Sequence, residues 1–117
     1  MKMILSWYPV ADLDRAKDFY GRILGLEKSF EMQGWAEFTH AKDAPSVGLS
    51  ANPATNGQAG ATVVFQVDNI EDSRRQLTAK GVAFDGAVEE IPGVVKIATF
   101  RDPFGNRLQL AQVLVGQ

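Results

Sequence analysis

From Met3 to Val10 the chain is apolar at Ile4, Leu5, Trp7, Tyr8 and Val10, which places hydrophobic side chains on both faces of a strand and predicts a buried position in a sheet. The period then lengthens. Leu13, Ala16, Phe19, Tyr20, Ile23 and Leu24 recur at spacings of three and four, making one apolar stripe on a helix that Asp12 can cap and Gly25 can stop. After Gly25 the pattern shortens again and predicts three strands, Leu26 to Glu31, Trp35 to His40 beyond a Gln33-Gly34 turn, and Ser46 to Ser50 beyond Lys42-Asp43-Ala44-Pro45. The order is βαβββ.

Residues 53–60, centred on Ala54-Thr55-Asn56-Gly57-Gln58-Ala59, have the composition of a linker. The same order begins again beyond them. A strand is expected from Thr62 to Val67, a cap at Asn69, and a helix from Ile70 to Lys80 with Ile70, Ser73 and Leu77 inward. Gly81 then supplies a stop before strands near Val82 to Glu90, Val94 to Arg101 and Arg107 to Val113. Aligning Val10-Ala11-Asp12-Leu13 with Val67-Asp68-Asn69-Ile70 brings Gly25 and Gly81 within one residue of equivalence, so the repeat lies in elements and caps more than in identities. The reading is one α+β domain of two tandem βαβββ modules, about 1-52 and 61-117, joined by the linker 53-60.

Composition narrows the function classes. A chain of 117 residues with a net charge of -2 has no basic footprint for nucleic acid or an anionic membrane. No cysteine is present, which removes disulfides, thiolate metal ligands and a cysteine nucleophile. No stretch approaches the roughly 18 apolar residues of a transmembrane span, and the expected location is cytoplasmic. A Gly-x-Ser-x-Gly elbow is absent, and Gly57-Gln58-Ala59-Gly60 lacks the lysine and serine of a phosphate loop.

The stretch Asp102-Pro103-Phe104-Gly105-Asn106 has the chemistry of a tight turn, with Asp102 able to bond the backbone ahead of it and Pro103 presetting φ. Together with Val10-Ala11-Asp12-Leu13, Phe19-Tyr20, Leu24-Gly25-Leu26 and Val67-Asp68-Asn69-Ile70, it resembles the vicinal oxygen chelate superfamily of glyoxalases, extradiol dioxygenases, fosfomycin-resistance enzymes and bleomycin-resistance proteins. The resemblance spans the chain. It implies a glyoxalase-like fold, in which the curled mixed sheets of paired modules form an open cup, and a homodimer in which modules can be exchanged between chains.

In metal-dependent members that the chain resembles, ligands come from the first and last strands of each module. Carried over by spacing, these positions fall on Leu5, Thr62, Gln109 and a residue near Leu49. A hard divalent cation wants carboxylates or imidazoles, so no metal or other cofactor is expected and the divalent metal site reads as lost. The one histidine, His40, sits on the opposite strand face from Glu37 under strict alternation and reads as a structural or surface residue. Glu71-Asp72 and Glu89-Glu90 read as solvated charges.

Read as a binding cavity, the cup is lined by Leu5 with Met3 and Trp7, by Thr62 with Val64 and Gln66, and by Gln109 with Arg107 and Ala111. Trp7 is a candidate stacking platform, Thr62, Gln66 and Gln109 are candidate hydrogen-bonding groups, and Arg107 is a candidate partner for an anionic group. Trp35 follows a turn and is assigned either to the rim or to a dimer contact. The expected function is metal-independent binding or sequestration of a small planar or aromatic molecule. The alternatives are an enzyme of the same superfamily, a lyase, isomerase, dioxygenase or thiol transferase with an atypical or absent metal site, including a metal-free lyase that uses Glu37 or His40, or an interaction module with a filled cup.

Overall fold

A computed structural model describes residues 1–53 and 60–114. Most of the expected linker, residues 54–59, lies outside the described residues. The elements are β1 (Lys2–Pro9), α1 (Leu13–Asp18) running into a π-helical turn (Phe19–Ile23), β2 (Glu27–Met32), β3 (Trp35–Thr39) and β4 (Ser46–Ser50). A second series follows with β5 (Thr62–Gln66), α2 (Ile70–Ala79), β6 (Glu89–Ile91), β7 (Val95–Arg101) and β8 (Arg107–Val113). The architecture is α+β, βαβββ twice over. The chain divides into two compact units, one of residues Ile4–Ala61 and one of Thr62–Gln117 with Met1–Met3.

In the first unit β2 pairs antiparallel with β3, β3 antiparallel with β4, and β4 parallel with β1. A parallel pair needs a crossover, and here α1, β2 and β3 supply it. The caps work as the side-chain chemistry requires. Asp12 Oδ1 accepts from the Arg15 backbone N–H at 3.1 Å, satisfying one of the helix's orphan donors. Leu13, Ala16 and Tyr20 pack on Ala36, Phe38 and Leu49, of which Ala36 and Leu49 are fully buried.

The helix departs from expectation after Asp18. Leu24 N–H bonds to the Phe19 carbonyl at 2.9 Å, an i to i+5 bond that widens the turn. The stripe predicted at 3.6 residues per turn therefore loses its phase. Tyr20 still stacks on Phe38 at 6.3 Å, but Phe19, Ile23 and Leu24, expected inward, are each about half exposed.

In the second unit β6 pairs antiparallel with β7, β7 antiparallel with β8, and β8 parallel with β5. Asn69 caps α2 through the Asp72 N–H at 3.0 Å. The Ile70 N–H is taken by Gln112 Oε1 of β8 at 3.0 Å, so the last strand also anchors the start of the helix. Val67, Ile70, Ala98 and Leu110 form the buried core, with Phe65, Leu77, Phe84, Val88 and Phe100 against it.

The strand expected over 82–90 is mostly absent. Only Glu89–Ile91 is strand, with one isolated bridge from Phe84 to Phe100. Phe84 packs on the Phe100 ring at 5.2 Å, and Arg74 both lies over Phe84 and donates to the Gly86 carbonyl at 2.8 Å. Those side-chain contacts, with the positive φ of Gly86, fold the segment into turns before it can extend.

The turn before β8 has the expected chemistry. Asp102 Oδ1 accepts from the backbone N–H groups of Phe104 and Asn106 at 2.8 and 2.9 Å, and its Oδ2 accepts from Asn106 Nδ2 at 2.8 Å. These bonds hold the Asp102 carboxyl below the ordinary range, the Asn106 side chain contributing most.

Candidate functional site

Each sheet has one face against its helix and one face turned away, and alternation assigns the residues. In the first unit the helix face takes Ala36, Phe38, Val47 and Leu49. The other face therefore presents Leu5 and Trp7 of β1, Trp35 and Glu37 of β3, and Ser46, Gly48 and Ser50 of β4. Register joins them, with Leu5 opposite Ser46, Trp7 opposite Gly48 and Glu37 opposite Gly48. The last-strand position placed near Leu49 by sequence is corrected to Gly48. Leu49 is fully buried in the helix-side core, and a shift of one residue exchanges the faces.

Two indoles meet on this face. Trp7 and Trp35 pack edge to face with centroids 5.9 Å apart. Trp7 is only 7% exposed, whereas Trp35 and Glu37 are half-buried, so Trp35 presents the accessible ring and Trp7 backs it. Trp35 Nε1 donates to Glu37 Oε2 at 2.8 Å. Burial pushes the Glu37 carboxyl above its ordinary range, and the indole N–H opposes that shift. Gly48 makes the arrangement possible: a Cβ there would lie 2.7 Å from Cη2 and Cζ2 of Trp35 and 2.9 Å from Cβ of Trp7. Sequence reasoning passed over Gly48 as a site residue and weighed Glu37 only as the acid/base group of a metal-free lyase. The signal that could have found them is the alternation in Trp35-Ala36-Glu37-Phe38 and Ser46-Val47-Gly48-Leu49-Ser50, which sorts each strand into a helix face and a second face.

In the second unit the corresponding face carries Thr62, Val64 and Gln66 of β5, Arg107, Gln109 and Ala111 of β8, and Thr99 of β7. Gln109 lies between Val64 and Thr99 in register, and Gln66 opposite Ala111. Thr62 is fully buried and accepts from Arg107 Nε at 2.5 Å across 45 residues of chain. Gln109 Nε2 donates to Thr99 Oγ1 at 3.1 Å. Burial, with repulsion from Arg101, lowers the Arg107 pKa, though a guanidinium stays charged in any case. Thus Leu5 and Trp7 come together in one unit, and Thr62, Val64, Gln66, Arg107 and Gln109 in the other.

These side chains do not suit a divalent cation. The first unit offers Leu5 and Gly48 at the carried-over positions. The second offers a threonine oxygen engaged by a guanidinium, which repels a cation, and a glutamine engaged by Thr99. Among the described residues no three His, Asp or Glu side chains converge in a ligand-like group. His40 lies just past the end of β3 and is exposed. An open groove of about 400 Å³ beside the start of α1, lined mainly by Val10, Ala11, Ala16, Phe19 and Tyr20, lies on the helix side. Its one carboxylate, Asp12, is committed to the helix cap.

Comparison with known proteins gives the family. Residues 3–110 match the model described as Glyoxalase/Bleomycin resistance protein/Dioxygenase superfamily. A search of curated proteins finds no match. Among solved structures, a Legionella pneumophila protein described as an NAD-dependent benzaldehyde dehydrogenase superposes with a TM-score of 0.76 at 20% identity, covering 93% of this chain and 97% of that one. The methylmalonyl-CoA epimerase of Mycobacterium tuberculosis gives 0.74 at 18% identity, covering 96% and 87%. A glyoxalase/bleomycin resistance protein/dioxygenase superfamily member from Vibrio splendidus 12B01 gives 0.63 at 17% identity, covering 96% and 97%. At such identities the likeness is one of fold, and the glyoxalase-like fold is what they share. Among the described residues no helix is long and apolar enough to cross a membrane.

Proposed function

The chain belongs to the glyoxalase/bleomycin resistance protein/dioxygenase superfamily, and within it we propose a binding or sequestering protein for a small planar or aromatic molecule, working without a divalent metal. The observation that carries this reading is the Trp7–Trp35 pair seated against Gly48 on the sheet face turned away from α1. An indole held by packing on one side and by a hydrogen bond at its nitrogen loses little freedom when a ring stacks on it. Such a stack contributes about 1 kcal/mol beyond area burial. The donor chemistry at Leu5, Gly48, Thr62 and Gln109 supports the metal-free part of the proposal.

A thermal-shift and calorimetric titration with indole, 1-naphthol and quinoline tests the reading. Binding at 100 times the dissociation constant stabilises the fold by about 2.7 kcal/mol, and Trp35→Leu should remove that gain. Elemental analysis tests the second part. Stoichiometric divalent metal, released by Thr62→Ala or Gln109→Ala, would overturn it.

A second reading rests on Glu37, whose half-buried carboxyl has the raised proton affinity useful to a general base. It makes the protein a metal-free lyase or isomerase, and it requires turnover that survives chelation and disappears in Glu37→Gln. Assembly as a homodimer belongs to the same proposal. Exposed Phe19, Ile23 and Leu24 supply apolar surface for it, and sedimentation of the chain with and without Ile23→Lys tests it.

A further inference from the structure

Glu37 is a carboxylate in an unusual setting. It is half-buried on the sheet face it shares with Trp35 and Trp7, yet it takes part in none of the ion pairs among the described residues. Its single hydrogen bond there is the one from Trp35 Nε1 to Oε2, while a carboxylate can accept about four. Burying part of a carboxylate without a cation costs free energy, and that cost falls when a cation arrives from outside.

The neighbouring rings favour the same charge. An indole face attracts ammonium and guanidinium groups, more strongly as they lose water. Trp35 and Glu37 stand two residues apart on β3 and so share a face, both partly exposed. The hydrogen bond between them places Oε2 at the pyrrole edge of the ring, which leaves Oε1 beside it. Gly48 beneath gives the ring its seat without a side chain in the way. A ligand with a flat apolar body and a positive group on a short arm could lay the body on Trp35 and set the charge against Oε1.

We propose that the Trp7–Trp35–Glu37 cluster is a receptor for an organic cation, an aromatic or flat apolar body bearing a protonated amine or a quaternary ammonium. The proposal rests on the reading of this face as a small-molecule site and names the chemical class it selects.

Three probes of one shape and different charge separate the two ideas: 2-(1-naphthyl)ethylamine, 1-naphthaleneethanol and 1-naphthaleneacetate, titrated calorimetrically into the intact chain at neutral pH. The ammonium should bind about tenfold more tightly than the alcohol and the carboxylate most weakly, the margin expected for a charge-assisted contact. Glu37→Gln, which keeps the side-chain shape, should bring amine and alcohol within about threefold, chiefly by weakening the amine. Equal binding of amine and alcohol by the native chain, or tightest binding of the carboxylate, would overturn the inference while leaving small-molecule binding intact. Absence of binding by all three would overturn both. Because the native chain's preference is itself decisive, the test does not depend on the variant folding.

Discussion

Gly48 lies directly against the benzo edge of Trp35, so close that a single added methyl group would sit 2.7 Å from two of its ring carbons. Ordinary contact needs nearly an ångström more. Gly48→Ala is expected to cost about 1–3 kcal/mol in urea unfolding and to displace the indole, with a change in near-ultraviolet circular dichroism. The double variant Gly48→Ala/Trp35→Leu should recover the part of that loss that comes from the ring, the 2.9 Å approach to Cβ of Trp7 remaining. An additive double variant would contradict the assigned contact.

The bond from Arg107 to Thr62 predicts a second, separable effect. Thr62→Val is close in shape but leaves the guanidinium without that acceptor in a half-buried position, and should cost about 1–3 kcal/mol. Thr62→Ser, which keeps the oxygen, should cost less. Equal losses in the two variants, read from denaturation midpoints, would show that the hydroxyl bond contributes nothing.

Stability should respond to pH in opposite senses at two glutamates of the first unit. Glu37 has its folded pKa raised above 4.5, chiefly by burial. Its contribution is therefore fully present below about 4.5 and is lost as pH rises through the folded value. Glu31 is held down to about 2 by hydrogen bonds from Lys17 and Lys28, so its contribution is present above 4.5 and fades toward pH 2, weakly because the group is exposed. Comparing native chain with Glu37→Gln cancels the Glu31 effect. The variant should gain on the native chain as pH rises from 4 to 8, and a difference independent of pH would contradict the assignment.

Leu110, fully buried among Val67, Ile70 and Ala98, should cost about 2–5 kcal/mol when cut to alanine. Asp102→Ala removes three hydrogen bonds from an exposed turn and should lower the thermal midpoint by less than Leu110→Ala does. Asp102→Asn should fall between native and alanine, because the amide oxygen can still accept from the backbone.

What could be read in the sequence was local. Asp12 and Asn69 cap helices through donors three residues ahead, Asp102 organises its turn within four residues, and the strands 46–50 and 107–113 end where the residue pattern ends. What could not be read depends on distant partners. The π turn at 19–23 sits where Tyr20 packs on Phe38 of β3, and the turns at 82–88 sit where Phe84 meets Phe100 and Arg74. For the site, which residues of β1, β5 and β8 share a sheet face was legible from alternation. Gly48 was missed by one residue, and Glu37 was weighed only as a base because nothing in the local pattern shows Trp35 turning its nitrogen toward it.

The parallel pairing of β1 with β4 and of β5 with β8 also sets a timetable. Parallel neighbours cannot meet until the whole crossover between them exists. On a ribosome, the first unit can close only after Ser50 has been made and cleared the exit, and the second only after Val113 has. Until then Val63 and Phe65 of β5 and the apolar side of α2 have no Leu108 or Leu110 to cover them. The second unit thus passes through a sticky intermediate that only β8 closes, and substitutions that weaken β8 should reduce soluble yield more than their effect on the finished fold would suggest.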